Sequence, residues 1–155
     1  MRSFKPVLST LSTFSPALVL FGALFFSLAT TTSSQAAKIV ARVDLSQQRM
    51  TVYVGGRRRY SWPVSTARRG YVTPTGSYRP HSLQRMHYSK KYHNSPMPHS
   101  IFFRGGYAIH GTGAIGRLGR RASHGCIRLH PSHARRLYSL IQTYGKGNTR
   151  IQVVR

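Results

Sequence analysis

The chain has 155 residues with 24 lysines and arginines against one acidic residue, Asp44, so its formal net charge at pH 7 is +23. One acid excludes glycoside hydrolysis by paired carboxylates and an aspartic-protease dyad, and it argues against a dedicated calcium or magnesium cage. With 40% hydrophobic and 11% aromatic residues the composition is that of a folded protein, and the length fits one domain. The positive charge predicts a polyanionic partner: nucleic acid, an anionic membrane face or an acidic wall polymer.

The first 36 residues have the layout of a secretory signal peptide. A short positive stretch precedes an apolar run of 13 residues, Ala17–Ala29, and small residues stand before a cleavage site after Ala36. A retained membrane anchor is the alternative, but a spanning helix needs about 20 apolar residues. We therefore expect residues 1–36 to be a signal peptide and residues 37–155 to be an exported domain. Export to the periplasm or cell wall makes nucleic acid an unexpected partner.

The mature sequence begins with three predicted strands. Lys38–Leu45 is rich in β-branched residues, and Arg49–Val54 alternates between apolar and polar side chains. Gly55-Gly56 predicts a two-residue hairpin turn, and Arg57–Ser65 is then the partner strand. Pro63 predicts that this partner lies at the edge of a sheet, because proline cannot donate to a ladder.

Thr73–Gly76 predicts a turn, and the following segment, Arg79–Ser100, predicts a long loop or flap without regular structure. This loop contains four histidines at intervals of six residues: His81, His87, His93 and His99. Zinc binding is an alternative function for them, but the spacing fits no usual ligand pair. We expect neither a metal nor another cofactor here.

Short elements follow the predicted flap. Ile101–Phe103 and Tyr107–Ile109 predict apolar strands on either side of two glycines. A helix is predicted from Pro131 until Gly145, with apolar residues along one face, and Thr149–Val154 predicts a last strand. The chain is therefore predicted to be mostly β with one clear helix.

The chemistry-bearing residues are concentrated between His110 and Leu129, where Cys126 is the single cysteine of the chain. One cysteine excludes an intramolecular disulfide, so this thiol is buried and inert, pairs between chains, or is a nucleophile. A nucleophilic thiol needs an imidazole or cationic surroundings that favour the thiolate, and backbone N–H groups for the developing oxyanion. Histidines and a glycine next to the thiol, Gly125, supply these parts.

Several motifs together resemble the L,D-transpeptidase catalytic domain family, often called YkuD. The resemblance covers residues 38–155 and rests on Ser123-His124-Gly125-Cys126-Ile127-Arg128, Ile109-His110-Gly111-Thr112, Val43–Gln48, Trp62–Ser65, Thr73–Gly76, and Pro96–Pro98 followed by Ile101–Phe103. It implies a mostly β, β-sandwich-like domain with one main helix and a flap. It also implies cleavage after the third residue of a peptidoglycan stem tetrapeptide, through a thioester on cysteine.

The resemblance assigns roles to individual residues. It makes Cys126 the nucleophile and His110 the general base, with the main-chain carbonyl of Gly111 orienting the base. The backbone amides of Gly125 and Cys126, with His124 nearby, would form the oxyanion site. For His124 itself, general base and purely structural residue remain alternatives.

Two further motif residues have supporting roles. Ser123 is interpreted as a loop hydrogen-bonding residue that could also touch substrate. Arg128 would contact a carboxylate of the stem peptide or hold the loop in place, and the sequence does not separate these roles.

The prediction is thus an exported cysteine L,D-transpeptidase that forms 3→3 cross-links or attaches an outer-membrane protein to the wall. The acyl acceptor is left open among a stem peptide, a protein lysine, a D-amino acid and water, and water would make it an L,D-carboxypeptidase. A non-catalytic basic wall-binding module is the rival. Arginine clusters predict electrostatic adhesion to the anionic wall or a membrane surface; they are Arg57–Arg59, Arg68-Arg69, Arg120-Arg121 and Arg135-Arg136.

Overall fold

The computed structural model describes residues 37–155, and the predicted signal peptide lies outside the described residues. The described chain forms nine strands: β1 Ile39–Asp44, β2 Arg49–Val54, β3 Arg57–Pro63, β4 Gly76–Tyr78, β5 Ser82–Ser89, β6 Ser95–Arg104, β7 Tyr107–Gly111, β8 Ile127–Leu129 and β9 Thr149–Val154. Helix α1, Pro131–Tyr144, lies between β8 and β9 in sequence. Two 3₁₀ turns span Lys90–Tyr92 and Ile115–Arg117. The strands form two sheets, ordered β3-β2-β1-β9-β4 and β5-β6-β7-β8. The predicted mostly β, sandwich-like fold with one main helix is confirmed.

The first sheet is built around the predicted hairpin. Gly55 and Gly56 adopt φ of 56° and 76°, the left-handed region that a tight hairpin turn requires. Met50 and Val52 of β2 are fully buried, which confirms the predicted alternation. β3 is an edge strand that ends at Pro63, as the missing N–H of proline predicts.

One apolar core joins both sheets and the helix. β1 and β9 pair in parallel in the first sheet, and alternate residues of each face inward. Helix α1 has proline at its first turn, buries Leu137 and Ile141, and ends at Gly145 with φ of 88°. The largest fully buried side chains are Ile39, Met50, Ile101, Ile109, Ile127, Leu129, Leu137, Ile141, Ile151, Val43, Val52 and Val64. This core fixes the second sheet, which carries the candidate site.

The prediction of an irregular loop over Arg79–Ser100 is wrong. β5 and β6 form an antiparallel hairpin, and residues 82–98 of it are called the flap below. Pro96 and Pro98 had argued against a strand, but residues two apart direct their N–H groups to the same side. That side is unpaired in this part of β6, since β7 pairs only from Ile101 onwards.

Two strands of three residues each, β4 and β8, were also not predicted, because such short segments carry no measurable alternation. Among the described residues no helix combines the length and apolar character needed to cross a membrane.

Candidate active site

A parallel strand pair brings the candidate base and nucleophile together. β7 and β8 pair in the register Ile109↔Ile127 and His110↔Arg128. Both isoleucines are fully buried in the core, so the alternating residues of the two strands face the other side. Cys126 precedes Arg128 by two residues and therefore shares the face of His110. Both side chains line the same cavity.

The imidazole of His110 is held in one tautomer. Its Nδ1 lies 2.7 Å from the main-chain oxygen of Gly111, and a carbonyl only accepts hydrogen bonds, so Nδ1 carries the proton. The unprotonated Nε2 is left as the basic nitrogen. Burial lowers the pKa of His110 to about 4, while the hydrogen bond to Gly111 acts in the opposite direction. The side chain is thus neutral near neutral pH, with Nε2 free to accept a proton.

Close packing explains why Gly111 is a glycine. A Cβ there would lie 3.1 Å from the Cα of Pro131 and 3.1 Å from the Cγ of Pro98. The start of helix α1 and strand β6 therefore approach the backbone that orients His110.

The thiol of Cys126 differs from the expected thiolate. Burial raises the pKa of this thiol above its usual range. A hydrogen bond from the backbone of Ala108 and the charge of Arg128 act in the opposite direction, but their effect is smaller than that of burial. The Sγ atom lies 3.9 Å from the main-chain oxygen of Gly106. Near neutral pH the resting pair therefore comprises a protonated thiol and a neutral imidazole.

The backbone before the thiol is tightly constrained at Gly125. Its φ is +128°, and a Cβ would lie 2.6 Å from Cε1 of Tyr107 and 2.8 Å from the main-chain oxygen of Val72. Its N–H donates to Oγ of the fully buried Ser123 at 3.0 Å. Its carbonyl accepts from Oγ1 of Thr73 at 2.8 Å. The Gly125 N–H could therefore donate to an oxyanion only after its hydrogen bond to Ser123 is broken.

A buried hydrogen-bond network fixes the loop that precedes Cys126. The side chain of Gln48 donates to Oγ1 of Thr66 at 2.6 Å and accepts from the Thr66 N–H at 2.9 Å. The Thr66 carbonyl in turn accepts from the N–H groups of Ala122 and Ser123, both at 2.9 Å. The turn between β1 and β2 therefore anchors the cysteine loop, although none of these groups is reactive.

The thiol and the base open into a cavity of about 870 Å³ between the flap and the cysteine loop. Its lining residues are His87–Tyr92, Ser95–Met97, Phe102, Gly106, Tyr107, His110, Thr112–Ala114, Ser123, His124, Cys126 and Arg128. A space of this size suits a peptide segment.

His124 connects the two walls of this cavity. Its ring stacks on Tyr92 of the flap at 4.5 Å between centroids and meets the edge of Tyr71 at 4.6 Å. Its pKa is lowered, chiefly by burial and then by the nearby cations Arg68, Arg128 and Lys91.

Arg128 both lines the cavity and contacts the cysteine loop. Its guanidinium lines the cavity, and Nη1 donates to the main-chain oxygen of Ala122 at 3.4 Å. Its backbone pairs with Ser65 through two hydrogen bonds of 3.0 and 2.9 Å. It can therefore hold the loop while its charge remains at the edge of the cavity.

Comparison with known proteins agrees with this geometry. The family model described as L,D-transpeptidase catalytic domain matches residues 38–153. The chain belongs to the L,D-transpeptidase catalytic domain family. No curated protein matches the sequence significantly.

Solved L,D-transpeptidase structures share the fold. An L,D-transpeptidase from Mycobacterium smegmatis is 21% identical with a TM-score of 0.69, over 77% of this chain and 59% of that chain. One from Stackebrandtia nassauensis is 29% identical with a TM-score of 0.67, over 83% and 62%. L,D-transpeptidase 3 from Mycobacterium tuberculosis, in complex with a faropenem-derived adduct, is 22% identical with a TM-score of 0.64, over 76% and 60%. The chain thus spans about six tenths of the length of these relatives.

The L,D-transpeptidase domain gathers most of the predicted site residues around one cavity. His110, His124, Cys126, Arg128 and Ser123 all line it. Gly111 and Gly125 lie behind it as backbone supports.

Sequence reasoning missed several residues that position the site. Thr73 was assigned only to a turn, yet its hydroxyl accepts from the Ala67 N–H at 3.0 Å and donates to Gly125. Tyr92 was also missed, although an aromatic residue within a basic flap was a signal that could have identified it. The roles of Gln48 and Thr66 had no local signal, because they depend on contacts distant in sequence.

The four regularly spaced histidines of the L,D-transpeptidase flap region do not converge. His87 lines the cavity with Nδ1 2.7 Å from Oε1 of Gln84, whereas His93 ends a 3₁₀ turn. His81 packs beside an aromatic ring, and His99 packs against helix α1. Within residues 37–155 no group of three His, Cys, Asp or Glu side chains could hold a metal ion.

Proposed function

We propose that the protein is an exported L,D-transpeptidase that acts on peptidoglycan stem tetrapeptides through a thioester on Cys126. The observation that carries this proposal is the shared face of His110 and Cys126 in a peptide-sized cavity, with the His110 tautomer fixed by Gly111. The family membership supports the reaction class.

In the acylation step, Sγ of Cys126 attacks the carbonyl after the third stem residue as Nε2 of His110 takes the thiol proton. Backbone N–H groups at the cysteine loop stabilise the oxyanion. The intermediate collapses with cleavage of the peptide bond, and the imidazolium gives its proton to the departing D-amino acid.

In the second step an acceptor attacks the thioester carbonyl. His110 removes a proton from the acceptor amine, the C–S bond breaks, and the thiol regains a proton. An amine of another stem peptide gives a 3→3 cross-link, and a lysine of an outer-membrane protein gives attachment to the wall. Water gives an L,D-carboxypeptidase.

Purified protein incubated with a disaccharide-tetrapeptide tests the proposal by mass spectrometry, with Cys126→Ala as control. We expect a cross-linked dimer that lacks one terminal D-alanine and is absent with the variant. Tripeptide alone would assign the acceptor to water. Faropenem is a second probe, since a fold relative carries an adduct derived from it. No product and no faropenem adduct on Cys126 would favour the non-catalytic wall-binding module.

Wall adhesion is proposed as a property of the same protein in the periplasm or cell wall. The clusters Arg57–Arg59, Arg68-Arg69, Arg120-Arg121 and Arg135-Arg136 are all exposed, which supports an electrostatic contact. Co-sedimentation with purified sacculi should then weaken steeply as salt rises, because exposed charges are screened over about 10 Å at 0.1 M. Binding that is independent of salt would contradict this proposal.

A further inference from the structure

The tip of the flap places two lysines over the candidate site. Lys90 and Lys91 belong to the 3₁₀ turn between β5 and β6, and both are exposed and line the cavity. The next residue, Tyr92, stacks on His124 of the cysteine loop with an interplanar angle of 12°. The ammonium of Lys91 lies 5.6 Å from the centre of the Tyr92 ring. This stack fixes the lysine-bearing turn close to Cys126.

The cavity offers these cations no anionic partner. Its lining contains no Asp or Glu, and Arg128 adds a third cation to it. The single acid of the chain, Asp44, ends β1 in the other sheet, and its carboxylate already accepts hydrogen bonds from Ser46 and Gln47. A ligand that carries negative charge would therefore meet these cations without competition from a protein carboxylate.

Building on the proposed function, we propose that Lys90 and Lys91, together with Arg128, make the cavity select stem peptides with free side carboxylates over the same peptides with carboxamides. A stem peptide exposes side carboxyl groups that are either free acids or primary amides. An ammonium attracts the acid form by its charge, whereas the amide offers only a neutral carbonyl oxygen.

The size of the preference follows from the exposure of the lysines. Exposed ion pairs contribute little individually, so two lysines give a roughly twofold to twentyfold preference at low salt. Screening reduces this preference as salt rises. The stack of Tyr92 on His124 limits how far the turn moves from the substrate, which lowers the entropy lost on binding.

The test compares kcat/KM for two tetrapeptides that differ only in acid or amide at the side carboxyl. The unmodified protein should prefer the acid by roughly fivefold at low salt, and K90Q/K91Q should reduce the ratio towards one. R57Q/R58Q removes the same charge from an exposed edge strand outside the cavity and should keep the ratio. Equal rates with both peptides, or a ratio unchanged in K90Q/K91Q, would overturn the inference.

A binding measurement separates this inference from the proposed reaction. Cys126→Ala protein is titrated with the same two peptides, alone and combined with K90Q/K91Q, so that no turnover is needed. Tighter binding of the acid that is lost with the lysines supports the selectivity even if neither peptide is converted. Equal binding of acid and amide overturns the selectivity even if both peptides react.

Discussion

The hydroxyl of Thr73 donates to the main-chain oxygen of Gly125 at 2.8 Å, although 52 residues separate them in sequence. The same hydroxyl accepts from the N–H of Ala67 at 3.0 Å. One buried oxygen thereby connects the segment after β3 to the residue before the candidate nucleophile. The shape of the cysteine loop thus depends on a side chain that takes no part in proton transfer.

Thr73→Val should destabilise the protein by about 2 kcal/mol, because the isosteric change leaves a buried N–H and a buried carbonyl unpaired. Chemical denaturation measures the loss, and turnover should fall as the loop relaxes. Thr73→Ser keeps the hydroxyl and is the matched control. If the valine variant is as stable as the original protein, the two hydrogen bonds of the Thr73 hydroxyl do not stabilise the fold.

Gly125→Ala should reduce both stability and activity. The new Cβ would lie 2.6 Å from the Tyr107 ring and 2.8 Å from a backbone oxygen, at a φ that costs an L-residue about 1–3 kcal/mol. Gly147→Ala introduces the same methyl where nothing lies within 4 Å, so it serves as the control. Thermal unfolding and tetrapeptide turnover are the measurements. Normal turnover in Gly125→Ala would show that the backbone at this position tolerates a side chain.

His110 should make stability depend on pH between about 4 and 6.5. Its pKa is lower in the folded than in the unfolded protein, so the unfolded chain binds more protons in this window and stability falls as pH decreases. The full contribution is about 3 kcal/mol, present above pH 6.5 and absent below pH 4. Denaturant titrations of the protein and of His110→Gln should diverge across this range, and parallel pH profiles would count against a buried neutral imidazole.

Cys126 should react with iodoacetamide more slowly at neutral pH than a free model thiol, because burial raises its pKa. The alkylation rate should keep rising with pH beyond the range in which that of a free model thiol levels off, because burial raises the pKa of Cys126. Slow alkylation would be compatible with the proposed mechanism, in which the thiol passes its proton to His110 during attack. A rapid, pH-independent reaction at pH 7 would instead indicate a resting thiolate.

Local patterns predicted much of the first sheet and the helix. The glycine pair at 55 and 56, the alternation of β2, and the proline and glycine that bound α1 act within a few residues, so the sequence displays them directly. The motif around Cys126 likewise predicted the contact between His110 and the Gly111 carbonyl, and it supplied the candidate nucleophile and base.

Long-range contacts explain what the sequence did not show. The parallel pairing of β7 with β8 sets the shared face of His110 and Cys126, and no local pattern encodes that register. Thr66 acts on the cysteine loop only after the two sheets have packed together. The flap strands were obscured because Pro96 and Pro98 break the usual strand composition, while the free side of β6 tolerates them.

Because Asp44 is the single acidic residue of the chain, the net charge of the protein depends little on pH. Nineteen of the 24 basic residues are arginines, which stay protonated at every biological pH. The surface therefore remains strongly cationic across the whole physiological range of acidity, and histidine protonation only adds to it. If the proposed electrostatic adhesion holds, dissolved ions and the density of negative groups on the opposing surface control it, so a change in salt concentration should redistribute the protein where mild acidification does not.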